Sequence, residues 1–305
     1  MLYLLLAVLC SSAIGIIFKI SEQRNTNRYI VTTINYVTAM VFSGVMLMQS
    51  DIVAKGLSFQ PLAFLVEGFP TMLSTGHRLT YLHSTTWSVL LGIVTGWFYF
   101  ISFIYYQVSV RRNGIALSGM FSRMGILVPM ALSIVFWQEI PTLIQSIGIL
   151  LCLISIVLVN LNYSRGKRFE INTTLVLLFF YFGIAIFCNK IFQKYAVLEL
   201  KPLFLFCLFV SAGITSLSVS LRYAKSIQWP EIVIGVAVGI PNLMTAWFLI
   251  QALDTIKASV AFPVFSAGTI ISMAVLAVVF FKERITLKNG LAIVATTIAL
   301  VLINL

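Results

Sequence analysis

Apolar runs of about 17–25 residues follow one another along the whole 305-residue chain, parted only by short polar corners. A helix rising ~1.5 Å per residue covers a ~30 Å hydrocarbon core in about 20 residues, so runs of this length can cross a bilayer. Lipid offers no partner to an open strand edge, so helix is the state such runs must take. Only 10% of the residues are charged, against roughly 25% in a soluble domain. The expected fold class is an all-α polytopic membrane protein. Ten spans are predicted, at about 2–18, 29–48, 87–110, 115–137, 143–161, 175–191, 203–221, 232–253, 258–281 and 287–305.

Several function classes fall away. The net charge of +11 would point to nucleic acid in a soluble protein. Here Lys and Arg sit almost wholly in the corners, where they meet lipid headgroups and set orientation. The partner expected of them is the lipid bilayer, with no nucleic acid. Cys10, Cys152, Cys188 and Cys207 lie in apolar runs without shared spacing, as small buried hydrophobes do. Leu9-Cys10-Ser11 loosely resembles a lipoprotein cleavage box, but no Lys or Arg precedes it and Leu9 is large; a first span is the reading preferred. His77 and His83 share a loop without clustered carboxylates or thiols, so no metal site is expected. No phosphate loop, nucleophile elbow or carboxylate pair appears, so no enzyme and no cofactor are expected.

The end of the chain repeats its middle. At an offset of 144, Phe136/Phe280, Glu139/Glu283, Thr142/Thr286, Leu143/Leu287, Ile149/Ile293 and Asn160/Asn304 are identical. Apolar matches arise easily by chance; the Glu, Thr-Leu and Asn in register make this a repeat. Gln107 and Gln251 share the offset, and Gly92/Gly96 parallels Gly235/Gly239 at 143. Nearer the two N-termini the offset grows to about 170, pairing Ile16 with Ile186 and Gln23 with Gln193. The first half therefore holds an insertion, at about 51–86, expected as a surface or re-entrant cap. The domains predicted are a first five-helix repeat at 1–161, a linker at 162–172 and a second at 173–305. An odd span count turns the second copy over, giving two inverted five-helix repeats, an architecture typical of secondary transporters.

The doubled unit, Glu before Thr-Leu after the fourth and ninth spans, and the segment 252–261 together resemble the drug/metabolite transporter superfamily, in its EamA-like branch. The resemblance implies alternating-access transport of a small molecule with both termini cytoplasmic. Lys/Arg counts point the other way, with six on the side that would be inside and thirteen outside. The family's usual Pro, about 13 residues before the Glu, is replaced by Ile126 and Ile270, so a helix break is not expected there.

Arg123 stands out, about eight residues into the fourth span and so roughly 12 Å deep. Insertion there costs about 2.5–3.5 kcal/mol, which favours a cavity or a partner. Its repeat mate is Ala267, and Gly119 one turn earlier is expected to leave room beside the guanidinium. An anchor for a substrate carboxylate or phosphate is one reading; a snorkelling or bracing Arg is the other. All nine Asp and Glu lie at span ends or in loops, which disfavours a cationic drug as cargo. Pro241-Asn242 is the best candidate for a broken helix, with a merely kinked packing helix as the equal alternative. Candidate substrate-binding residues are Arg123, Gln107, Gln251, Asn242, Trp97, Trp247, Ser122 and Ser266. For the polar ones the alternative is an interhelical hydrogen bond, and for the tryptophans an interfacial belt. The expected function is a secondary transporter of a small polar metabolite, such as an amino acid or organic anion, with a coupling ion. The alternative is a lipid-linked carrier flippase or its accessory subunit, for which a lateral opening between spans would speak. The location expected is the bacterial inner membrane, as a monomer or a homodimer.

Overall fold

Helices α1 (Leu2–Gln23) and α2 (Arg28–Met48) open the chain, followed by three short pieces, α3 (Asp51–Ala54), α4 (Pro61–Ala63) and α5 (Phe69–Thr75). Then come α6 (Tyr81–Met124), α7 (Leu127–Trp137), α8 (Leu143–Asn160), α9 (Thr173–Tyr195), α10 (Lys201–Tyr223), α11 (Trp229–Thr255), α12 (Ala258–Phe281) and α13 (Leu287–Ile303). This is a computed structural model, and it describes residues 2–54, 56–138, 141–160, 172–223, 226–255 and 258–303. Among the described residues, seven stretches are long and apolar enough to cross a membrane, and α13 and residues 143–155 are shorter apolar helices. The protein is a multi-pass, all-helical membrane protein, with Leu, Val, Ile and Phe exposed along its outward helix faces.

One of those stretches, residues 81–137, is 57 residues long, far more than one crossing needs. It doubles back at Gly114, whose φ of 81° and ψ of 171° interrupt the helix. The Ser109 and Ser118 hydroxyls meet at 2.8 Å, although nine residues of straight helix would part them by ~13.5 Å. Residues 81–113 and 115–124 are thus the two arms of a helical hairpin. A second interruption follows at Gly125–Ile126, where the N–H groups of Ile126 and Val128 bond only three residues back, at 3.3 and 3.0 Å. Contrary to expectation, the fourth span breaks at the place where the resembled family has its proline. A glycine stands at the break and lets α9 come close: a Cβ on Gly125 would lie 3.0 Å from the Gly183 nitrogen and 3.1 Å from the Phe179 oxygen. Of the two readings of Pro241 the broken helix fails, since α11 runs through it as one helix. Pro241 removes a donor, but the turn stays packed against α2.

The corners that match in sequence match in backbone. Gln138 and Lys282 both take a left-handed φ, of 53° and 49°. Their N–H groups reach back to Ile134 and Val278 at the same 3.1 Å. Thr142 and Thr286 then cap the next helices, each hydroxyl accepting the N–H three residues on at 3.3 Å. Each carbonyl accepts the N–H four residues on at 2.9 Å, the arrangement of an N-cap.

Small residues bring the long helices together. Gly92 and Gly96 press on the α10 backbone at Phe204, Leu208 and Ala212, and Gly235 and Gly239 press on the α2 backbone at Val31 and Asn35. Such pairs let backbones close within lipid, where no hydrophobic effect separates helix from solvent. Helix α1 packs on α11 and α12, α9 packs on α6 and α7, α2 meets α10, and α8 meets α13. The insertion sits outside this bundle as a cap, its Phe64 ring 5.6 Å from that of Trp87 on α6.

Candidate functional site

Arg123 lies at the end of the hairpin's second arm, just before the break at Gly125. Eight residues past the turn, it stands ~12 Å down. Its Nη2 donates to the Ser11 hydroxyl of α1, and its guanidinium carbon sits 4.4 Å from the centre of the Phe265 ring of α12. Cation–π contact of this kind is worth about 0.5–2 kcal/mol, less than the cost of placing the charge there. Its Nε is buried with no protein partner. Among the described residues, no carboxylate pairs with it. The Tyr106 and Tyr99 phenols are within its electrostatic reach. The Tyr99 hydroxyl accepts from Asn189 of α9 at 3.2 Å, and the Tyr106 hydroxyl faces the Met273 sulfur at 3.5 Å. Helices α1 and α12 therefore meet at the guanidinium carried by α6, and α9 stands one step away, through Asn189 and Tyr99.

Gly119 does not open space for that guanidinium. Met273 of α12 fills the place, its Cβ and Cγ 3.4 Å from where a Gly119 Cβ would stand.

The other predicted residues scatter. Ser122 is buried and turns its hydroxyl to the Gly119 carbonyl at 2.8 Å; Ser266 is buried beside Phe265. Gln107 is fully buried and donates to the Thr32 hydroxyl of α2 at 2.6 Å, while its Oε1 has no protein partner. Asn242 donates to Asn35 Oδ1 at 3.2 Å, and the Asn35 Nδ2 is likewise buried without a partner. These two pairs form a polar layer along α2, apart from Arg123. The Tyr36 hydroxyl, buried and unpartnered, lies within electrostatic reach of Tyr99. Leaving such a buried group unsatisfied costs about 1–3 kcal/mol. Trp97 is 49% exposed on the outer face of α6, and Trp247 is half-buried with its ring 5.3 Å from that of Phe248. Trp97 therefore points away from any central site, because its stretch of α6 turns Phe100 and Phe103 inward instead. The Gln251 side chain lies outside the described residues. Sequence reasoning missed Ser11, Phe265 and Tyr36, since a lone Ser, Phe or Tyr in an apolar run carries no periodic or charge signal.

The end of the bundle that holds the hairpin turn is closed by charge. Both Glu283 carboxylate oxygens accept the Ile115 N–H, at 3.2 and 3.3 Å, while Lys19 approaches Oε1 at 2.9 Å. A Cβ on Gly114 would stand 2.9 Å from that carboxyl carbon, so glycine serves both the backbone conformation and the clasp. Glu231 accepts the N–H groups of Asn27 and Gln228 at 2.8 and 2.9 Å, and Glu22 pairs with Arg28 at 3.1 Å and Arg111 at 3.8 Å.

A crevice of about 460 Å³ opens sideways between α1 and α12, lined by Leu2, Leu4, Leu5, Val8, Val264, Gly268, Ile271 and Ser272. Val8 is one turn from Ser11, and Val264 adjoins Phe265, so the crevice ends beside the helix positions that hold Arg123.

With this geometry in view, three similarities matter. Residues 201–297, which run from α10 into α13, match the family model of the Small Multidrug Resistance protein. An uncharacterized protein of Haemophilus influenzae is 25% identical over 297 residues, covering 95% of this chain and 93% of that one. A solved protein described without a function is 14% identical, with a TM-score of 0.55 over 99% of this chain and 94% of that one. That last likeness concerns the fold alone.

Proposed function

We propose that the chain is a secondary transporter that carries a small anionic or zwitterionic metabolite through a site centred on Arg123, by alternating access of two inverted five-helix halves. The observation that carries this is the mid-depth guanidinium with no carboxylate partner among the described residues and a buried, unpartnered Nε. A planar, permanently charged fork suits a carboxylate or phosphate. The similarity of α10–α13 to the Small Multidrug Resistance family speaks for a transporter rather than an enzyme.

The inverted repeat draws support from packing. Ten spans result if the hairpin arms count separately, the second together with α7, and α8 and α13 count as crossings. Exchanging the first five for the last five maps α1–α11 onto α9–α6, α2–α11 onto α10–α6, and α1–α12 onto α9–α7. The glycine pairs obey the same exchange, each third span of a half docking on the second span of the other. The Gln138/Lys282 and Thr142/Thr286 corners follow suit. Arg123 breaks the exchange, since Ala267 stands at its mate's position.

In proteoliposomes loaded against a panel of labelled amino acids and organic anions, Arg123→Ala should abolish the transport that wild type shows. Arg123→Lys should retain a small fraction, keeping the charge but not the fork. Equal uptake by wild type and both variants would sink the assignment. The lateral crevice favours a second reading, translocation of an anionic lipid-linked carrier whose chain lies between α1 and α12. Gly268→Leu separates the two: it should block only a substrate with a long apolar tail.

A further inference from the structure

The insertion that distinguishes the first half has an apolar surface that the bundle does not cover. From Pro61 to Thr75 the chain is helical throughout, as α4, a π turn over Phe64–Gly68, and α5. Three faces run along it. Phe64 and Met72 are buried against the bundle, and a Cβ on Gly68 would stand 2.9 Å from the His83 ring. Glu67, Thr71 and Ser74 are exposed and polar. Leu62, Leu65, Val66, Phe69 and Leu73 form a third face, at i, i+3, i+4, i+7 and i+11, and are between 38% and 75% exposed. A soluble surface helix needs only two faces, one for the core and one for water. The third needs an occupant.

We propose that this occupant is the lipid of one leaflet, and that residues 61–75 form an in-plane helix sunk into the headgroup–acyl boundary. The level of the cap fixes the occupant. Its rings rest on Trp87, 5.6 Å from Phe64 and 6.4 Å from Phe69, and Phe64 lies 6.4 Å from His83. Those residues fall in the first two turns of α6, a spanning helix whose outward residues, from Leu90 and Ile93 on, are apolar and exposed. The Leu79 N–H, just past the cap, donates to the carbonyl of Tyr195 at 2.8 Å, the last residue of spanning helix α9. The cap therefore sits beside the ends of the spans rather than above them in water. Apolar residues at that depth, with a polar face turned outward, match the physics of a monotopic amphipathic helix. Exposed His77 and Arg78 follow directly, where they would meet lipid phosphate.

Nitroxides at Leu65, Leu73, Glu67 and Ser74, each placed singly by Cys substitution in full-length protein lacking the four native cysteines, test this in phosphatidylcholine–phosphatidylglycerol vesicles. Labels at 65 and 73 should collide several-fold more with oxygen than with a water-soluble nickel chelate, and those at 67 and 74 the reverse. Nickel access at all four positions would overturn the proposal in favour of a water-exposed cap. Shielding of 65 and 73 from both reagents would overturn it in favour of a second copy. A measurement on the native chain guards against misfolding of the cysteine-free protein. A diazirine confined to the bilayer should label Leu65 and Leu73 but not Ser74, and absence of label from the 61–75 peptide would count equally against lipid docking.

Discussion

Two charged side chains, Arg123 and Glu283, are held in opposite ways. Arg123 leans on a hydroxyl and a ring, neither of which offsets its charge, so it is held in place without being neutralised. Ser11→Ala should leave the protein folded but loosen that hold, raising the KM for transport more than it lowers the maximal rate. Glu283 is the opposite case, engaged by a lysine and a helix N-terminus at once. A carboxylate hydrogen-bonded in this way contributes about 1.5–3 kcal/mol, so Glu283→Ala should lower the melting temperature in detergent by several degrees. Gly114→Ala should do the same, because φ 81° with ψ 171° is open essentially to glycine alone and costs an L residue about 1–3 kcal/mol, and the added Cβ meets the carboxylate besides. Arg123 and Glu283 were both visible in the sequence, a charge mid-run and a Glu in repeat register. What each touches was not, because those partners lie more than 100 residues away.

Among the elements, periodicity and punctuation predicted the helices well and their interruptions poorly. The ends of α2, α7 and α12 fall on the expected corners because charged residues stop the apolar runs there. Ile126 in place of a proline gave no reason to expect a break in the fourth span, yet one falls at Gly125–Ile126, where α9 approaches closely; no local pattern encodes that. Conversely, Pro241 lies within α11 without breaking it, on a helix that packs against α2. The matched left-handed residues give a prediction of their own. Gly accepts φ near 50° freely, whereas Gln138 and Lys282 carry about 1 kcal/mol of strain each. Gln138→Gly and Lys282→Gly should therefore raise thermal stability by similar amounts, and unequal shifts would argue that the two corners are not equivalent.

For the molecule as a whole, the distribution of charge bears on orientation. Lys19, Arg24, Arg28, Arg111, Arg112, Lys282, Arg284 and Lys288 all gather at the hairpin-turn end. The positive-inside rule puts that end in the cytoplasm. A single cysteine at exposed Arg284 should accordingly react with an impermeant maleimide only after cells are opened; labelling of intact cells would reverse the orientation. The bundle's general plan was readable from span lengths and the 144-residue echo. Its interlocking, in which Gly92 and Gly96 of α6 seat on α10 and Gly235 and Gly239 of α11 seat on α2, emerges only when all four helices are present together.

That interlocking has a consequence for how the protein is made. The Gly114 turn leaves the ribosome early, yet the carboxylate that caps it belongs to a residue 168 positions later. At roughly 5–20 residues per second, the turn waits about 8–34 s for its clasp. Through that interval the newborn hairpin holds a bare helix terminus and an unmatched Lys19 at the membrane edge. Synthesis of the last corner, more than insertion of the hairpin itself, marks the moment at which that turn can close.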